Sequence, residues 1–101
     1  MGDILVLTVH DQTQFPLGQI VATPGALAAL ERAGQAAEAF LRRHTAADWG
    51  EIPDEDRGYN NSAVANGERL LSAYSTRLGE KIWVITEWDR SATTLLLPSE
   101  Y

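Results

Sequence analysis

Lys81-Ile82-Trp83-Val84-Ile85-Thr86-Glu87-Trp88 is the stretch whose reading decides the fold. A strand sends successive side chains to opposite faces, so Ile82, Val84, Thr86 and Trp88 share one side, and Trp83, Ile85 and Glu87 the other. Large apolar groups on both faces mark a central strand with helices over at least one side. Two more runs rich in aromatic, β-branched and apolar residues flank it, Arg69 to Thr76 and Thr93 to Leu97. Only Arg77-Leu78-Gly79-Glu80 and Asp89-Arg90-Ser91-Ala92 separate the three. Links this short join antiparallel neighbours, so the C-terminal third is predicted to be a three-stranded antiparallel β-meander.

Ahead of Gly67 the period is helical. Thr23-Pro24 reads as an N-cap followed by proline at the first helical position, which starts a helix from Pro24 to about Ala33, with Gly34 as its C-cap. Ala36 to about Ala46 forms a second helix, with Ala36, Ala39 and Phe40 on its apolar side. Asp54 caps a third, running to about Asn66, and places Asp54, Glu55 and Asp56 in its first turn, where negative charge suits the helix dipole. Ile4 to His10 is predicted to be a strand and Gln19 to Ala22 a second extended piece. The expected fold is a single α+β domain over residues 1–101. It has an N-terminal strand region, about three helices, and the β-meander packed against the helices.

At 101 residues the chain can bury one hydrophobic core without disulfides or metals. Cysteine is absent, which removes thiol catalysis and thiolate zinc sites. Eight Lys and Arg against fourteen Asp and Glu give a net charge of −6, which disfavours direct nucleic-acid binding and favours a protein partner with a basic surface. No basic leader precedes Ile4, and no apolar run approaches the roughly 18 residues that span a bilayer. The expectation is a cytoplasmic protein without membrane contact.

Five of the nine residues from 48 to 56 are acidic: Asp48, Glu51, Asp54, Glu55 and Asp56. On a continuing helix His44 and Asp48 would share a face and could orient a general base. The structural reading instead puts His44 near the end of the second helix, where partial positive charge suits the dipole, with Asp48 holding the next turn. No metal-loop spacing, nucleophile elbow or phosphate-cradling glycine loop appears, so no catalytic residue, metal or cofactor is assigned. The candidate partner-binding residues are Asp48, Trp49, Glu51, Glu55, Asp56, Trp88 and Arg90, because a tryptophan and an arginine among carboxylates are what binding hot spots favour. Their structural alternatives are a tryptophan plug at the core edge and an arginine neutralising a nearby acid.

His44-Thr45-Ala46-Ala47-Asp48-Trp49-Gly50, Arg69-Leu70-Leu71-Ser72-Ala73-Tyr74, Lys81-Ile82-Trp83, Thr86-Glu87, Asp89-Arg90-Ser91 and Leu97-Pro98-Ser99-Glu100-Tyr101, together with Leu17-Gly18-Gln19 and Thr23-Pro24-Gly25-Ala26-Leu27, resemble a family of small, uncharacterised plasmid-related bacterial proteins. The resemblance spans nearly the whole chain. It implies carriage on plasmids, integrative elements or prophages, and it supplies no catalytic residues. Trp88 departs from the pattern, which has a small residue there, and adds an aromatic surface.

The function expected is therefore a small acidic, non-enzymatic protein-binding module of a mobile genetic element. Its narrower form is an inhibitor of a host defence system of CRISPR or restriction type. One alternative is a metal-assisted hydrolase or nuclease-like enzyme using His44, Asp48 and nearby carboxylates. Another is a structural or regulatory homodimer joined through a strand edge or exposed aromatics.

Overall fold

The computed structural model describes residues 13–101, so the predicted strand from Ile4 to His10 lies outside the described residues. In chain order the elements are β1 (Gln19–Ala22), α1 (Pro24–Ala33), α2 (Ala37–Thr45), α3 (Asp54–Asn66), β2 (Leu70–Ser75), β3 (Lys81–Thr86), β4 (Ala92–Leu96) and a closing 3-10 turn (Pro98–Glu100). The fold is α+β.

Each helix begins and ends for a local reason. Thr23 is extended and its hydroxyl accepts from the Ala26 N–H at 3.2 Å, Pro24 opens α1, and Gly34 ends it in the left-handed region. Helix α2 starts one residue later than expected and buries Phe40, Leu41, His44 and Thr45, whereas Ala36 and Ala39 are exposed. Its inner face is thus set by the large side chains and not by the alanines. In α3 the capping position falls on Pro53, whose φ of −60° and ψ of 155° are extended, and Asp54 is the first helical residue with no side-chain cap bond. Proline brings the φ that a helix entry needs, so the boundary lies one residue before the acidic turn.

The meander is present: β2 pairs antiparallel with β3 from Leu70↔Thr86 to Ser75↔Lys81, and β3 with β4 from Trp83↔Leu96 to Thr86↔Thr93. It does not stand alone. β1 joins the far side of β4 in parallel, with Gln19 opposite Ala92 and Ala22 opposite Leu95, giving a mixed four-stranded sheet in the order β1-β4-β3-β2. Helices α1, α2 and α3, with β2 and β3, lie between β1 and β4 in the chain, which supplies the long connection that a parallel pair requires. β3 ends at Thr86, so Trp88 lies in the following turn and not on the Ile82 face.

Among the described residues two clusters form the core. Ile82, Val84, Tyr74 and Leu95 on one sheet face bury Ala26, Ala29 and Leu30 of α1 and Phe40 and Leu41 of α2. Phe15, Trp49, Ile52, Ala63, Leu70 and Ala73 form the second, with Val64 and Trp83 at its margin. The outer edge of β2 is sealed by groups that imitate another strand. The Asn60 amide donates to the Leu71 carbonyl at 2.7 Å and its oxygen accepts from the Leu71 N–H at 3.5 Å. One step along, Ala73 N–H donates to the Trp49 carbonyl at 3.1 Å and Glu51 N–H donates to the Ala73 carbonyl at 2.6 Å. Gly50 sits between them with φ of 75°, where any side chain would collide with the Ala73 carbonyl and the Tyr74 ring.

Candidate functional site

The acidic stretch separates into groups with different electrostatic surroundings. Ala47 takes a left-handed φ of 65° after α2 ends, which turns Asp48 away from His44 and toward Arg43. Arg43 Nε donates to Asp48 Oδ2 at 2.7 Å, and this bond, with the charge behind it, holds the Asp48 carboxyl below its ordinary range. Glu51 accepts from Lys81 Nζ at 2.7 Å and from Ser75 Oγ at 2.9 Å, and the Lys81 bond is the main cause of its lowered pKa. Asp54 meets Arg57 at 3.3 Å. Among the described residues Glu55 and Asp56 have no ion-pair partner, and both are exposed in the first turn of α3.

The other predicted residues are divided between fold and surface. Trp49 is only 2% exposed, stacks on Phe15 with centroids 6.1 Å apart, and donates its indole N–H to Asn61 Oδ1 at 2.9 Å. It is a core plug, so it gives a partner no contact surface. Arg90 is folded under the end of α3, where its guanidinium donates to the carbonyls of Ala63 at 2.9 Å and Glu68 at 2.6 Å and lies 5.6 Å from the Phe15 ring centroid. The Ala63 carbonyl also accepts from the Gly67 and Glu68 N–H groups, so the guanidinium reinforces the C-terminal cap of α3 and reaches the Val64 carbonyl beside it at 3.4 Å. Trp88 is 65% exposed in the β3–β4 turn.

His44 is fully buried at the centre of a polar chain. Thr93 donates its hydroxyl to the Leu17 carbonyl at 2.7 Å, so the 2.7 Å bond between Thr86 and Thr93 must be donated by Thr86. Thr86 Oγ1 then accepts from His44 Nε2–H at 2.9 Å, and Nδ1 accepts from the Ser72 hydroxyl at 2.5 Å. Burial, and secondarily the Arg90 charge, push the His44 pKa down to about 3, so the imidazole is neutral and not the partly positive group expected at a helix end. The rings of Phe15 and Trp49 pack edge-on against it. His44 and Asp48 do not form a pair, and among the described residues no three acidic or histidine side chains are placed to hold a metal ion.

An open groove of about 390 Å³ lies elsewhere, between α3 and the sheet face that α1 and α2 leave uncovered. Leu71, Trp83 and Ile85 form its floor, and Asp56, Tyr59 and Asn60 its helix wall. The latter three occur at i, i+3 and i+4, which puts them on one side of α3. The end of the chain supplies the opposite wall. The Glu100 carboxylate accepts from Thr23 Oγ1 at 2.5 Å, Gly25 N–H at 3.0 Å and Leu97 N–H at 2.9 Å, tying the C-terminus to the start of α1. Tyr101 then meets Trp83 edge to face at 5.6 Å. Arg69 donates to the Tyr101 hydroxyl at 2.8 Å and pairs with Glu87 at 3.6 Å. Of the groove residues, sequence reasoning had singled out Asp56 alone. Tyr59, the single aromatic residue of α3, is the signal for the rest.

No family model matches the chain, and neither a curated protein nor a solved structure matches it. No helix among the described residues is long and apolar enough to cross a membrane.

Proposed function

We propose that the protein is a small acidic, non-enzymatic protein-binding module of the cytoplasm, carried by a mobile genetic element of the plasmid-related kind and directed at a partner with a basic surface. A basic groove in a host defence complex of CRISPR or restriction type is the narrower form of that target. The observation that carries the reading is an open aromatic groove beside two carboxylates, Glu55 and Asp56, that have no ion-pair partner among the described residues, while the imidazole His44 is sealed inside the core. Exposed tyrosine and tryptophan with nearby charge favour protein contact, because they supply large contact area at little entropic cost. A second reading, a homodimer through the edge of β1, is favoured by the exposure of Ile20 and Val21 on that strand.

The test is affinity capture of the tagged protein from cells carrying its native element, followed by binding kinetics with the purified partner. Long-range attraction chiefly accelerates association and is screened over about 8 Å at physiological ionic strength. Glu55→Lys with Asp56→Lys should slow association and flatten its salt dependence. Glu51→Lys should do less, since Glu51 is already neutralised by Lys81. Absence of any specifically captured protein, or an unchanged association rate at low salt for the double variant, overturns the reading.

A further inference from the structure

We propose that the groove between α3 and the open sheet face seats a peptide segment of the partner that presents a bulky apolar side chain next to a lysine or arginine. This rests on the binding-module reading and names where that module makes contact and with what chemistry. The floor is apolar, with Leu71 half-buried and Ile85 buried beside the indole of Trp83, which suits an aliphatic or aromatic anchor. Two exposed rings stand at the sides, Tyr59 at 55% exposure and Tyr101 at 68%, and burying them would remove large apolar area from water.

Charge selects the flanking residue. Of the two ionised groups lining the groove, Arg69 is already satisfied by the Tyr101 hydroxyl and by Glu87, whereas Asp56 has no ion-pair partner among the described residues. The unmatched charge at the mouth is negative, Glu55 adds to it, and the whole chain carries −6. An incoming cation meets Asp56 and the exposed ring of Tyr59, which attracts cations through its quadrupole, while the Tyr101 ring already carries the Arg69 guanidinium at 5.5 Å. An acidic peptide would meet the same carboxylates as repulsion, so one feature both attracts the right ligand and rejects the wrong one.

The experiment is a two-dimensional amide NMR titration of the full chain with three capped hexapeptides: Gly-Lys-Leu-Phe-Lys-Gly, its analogue with both lysines replaced by glutamate, and its analogue with leucine and phenylalanine replaced by glycine. The first should give saturable shifts at the amides of Tyr59, Leu71 and Ile85 and at the Trp83 indole N–H, and the other two should bind at least about fivefold more weakly. Asp56→Lys and Tyr59→Ala alter exposed side chains, keep the fold, and should each weaken the first peptide about three- to tenfold. No saturable shift at these groups, equal binding of the glutamate peptide, or indifference to both substitutions overturns the proposal. A captured partner whose affinity ignores both substitutions also overturns it while leaving the binding-module reading intact. Failure to capture any partner counts against that reading alone, because the peptide titration is independent of it.

Discussion

The imidazole of His44 accepts the Ser72 hydroxyl at Nδ1 across 28 residues of sequence, and the proton accounting of Thr86 and Thr93 leaves it no other tautomer. A neutral histidine with both nitrogens committed joins α2 to β2 and β3 inside the core. Protonation would set an N–H against the Ser72 oxygen only after that hydroxyl rotated away, in a site from which water is excluded.

Stability should therefore fall on mild acidification. The unfolded chain takes up a proton near the ordinary histidine pKa of 6.5, the folded one only near 3. The contribution is complete above pH 6.5 and is lost at up to about 1.4 kcal/mol per pH unit below it, until about pH 3. Urea unfolding at pH 7, 6 and 5 should show this slope, and His44→Gln should remove it. A wild-type midpoint unchanged between pH 7 and 5 would refute the buried neutral state.

Alanine at positions 44 and 48 should act unequally. His44→Ala leaves the Ser72 hydroxyl without its acceptor, takes from the Thr86 oxygen its donor while Thr86 still bonds Thr93, and opens a cavity, at a cost of about 2–4 kcal/mol. Asp48→Ala removes an exposed ion pair with Arg43 and should change stability by less than about 1 kcal/mol. Thermal melts of both variants check the ranking, and equal losses would contradict it.

Asn60→Leu keeps the volume but removes both bonds to the Leu71 backbone. Leaving those groups unpaired should cost about 1–3 kcal/mol, and the unsealed β2 edge should promote self-association. Chemical denaturation and light scattering measure the two effects separately. A variant as stable and as monodisperse as wild type would show that Asn60 does not guard the edge.

What could be read in advance depended on how local its cause was. The alternation of Ile82, Trp83, Val84 and Ile85 between short links declared the meander, since both signals lie within a few residues. The parallel pairing of β1 with β4 could not be read, because Gln19 meets Ala92 through a crossover that leaves no turn signature. The acidic stretch misled for a related reason. Its charges were visible, but Arg43, Lys81 and Ser75, which quench Asp48 and Glu51, are brought in by other elements. Trp49 and Arg90 read from the sequence both as partner contacts and as structural groups, and it is the burial of Trp49 and the carbonyl bonds of half-buried Arg90 that favour the structural role. The groove escaped notice because Trp83 and Tyr101 become neighbours only when Glu100 pins the C-terminus to α1.

Arg90 offers the sharpest check on the boundary between fold and surface. Its backbone has a left-handed φ of 61°, costly for a residue with a Cβ, and the arrangement persists because the guanidinium supplies donors to Ala63, Glu68 and Glu87 together. Arg90→Ala keeps the strained backbone and loses the donors, so it should destabilise by about 1–3 kcal/mol. Arg90→Lys should recover less than half of that, because an ammonium cannot reproduce a planar fork reaching several carbonyls. Arg90→Gly loses the same donors but relieves the backbone, and should be more stable than Arg90→Ala by roughly 1 kcal/mol. Denaturant midpoints for the three variants decide the matter, and an alanine variant within about 0.5 kcal/mol of wild type, a shift ordinary for surface substitutions, would return Arg90 to the partner-facing surface.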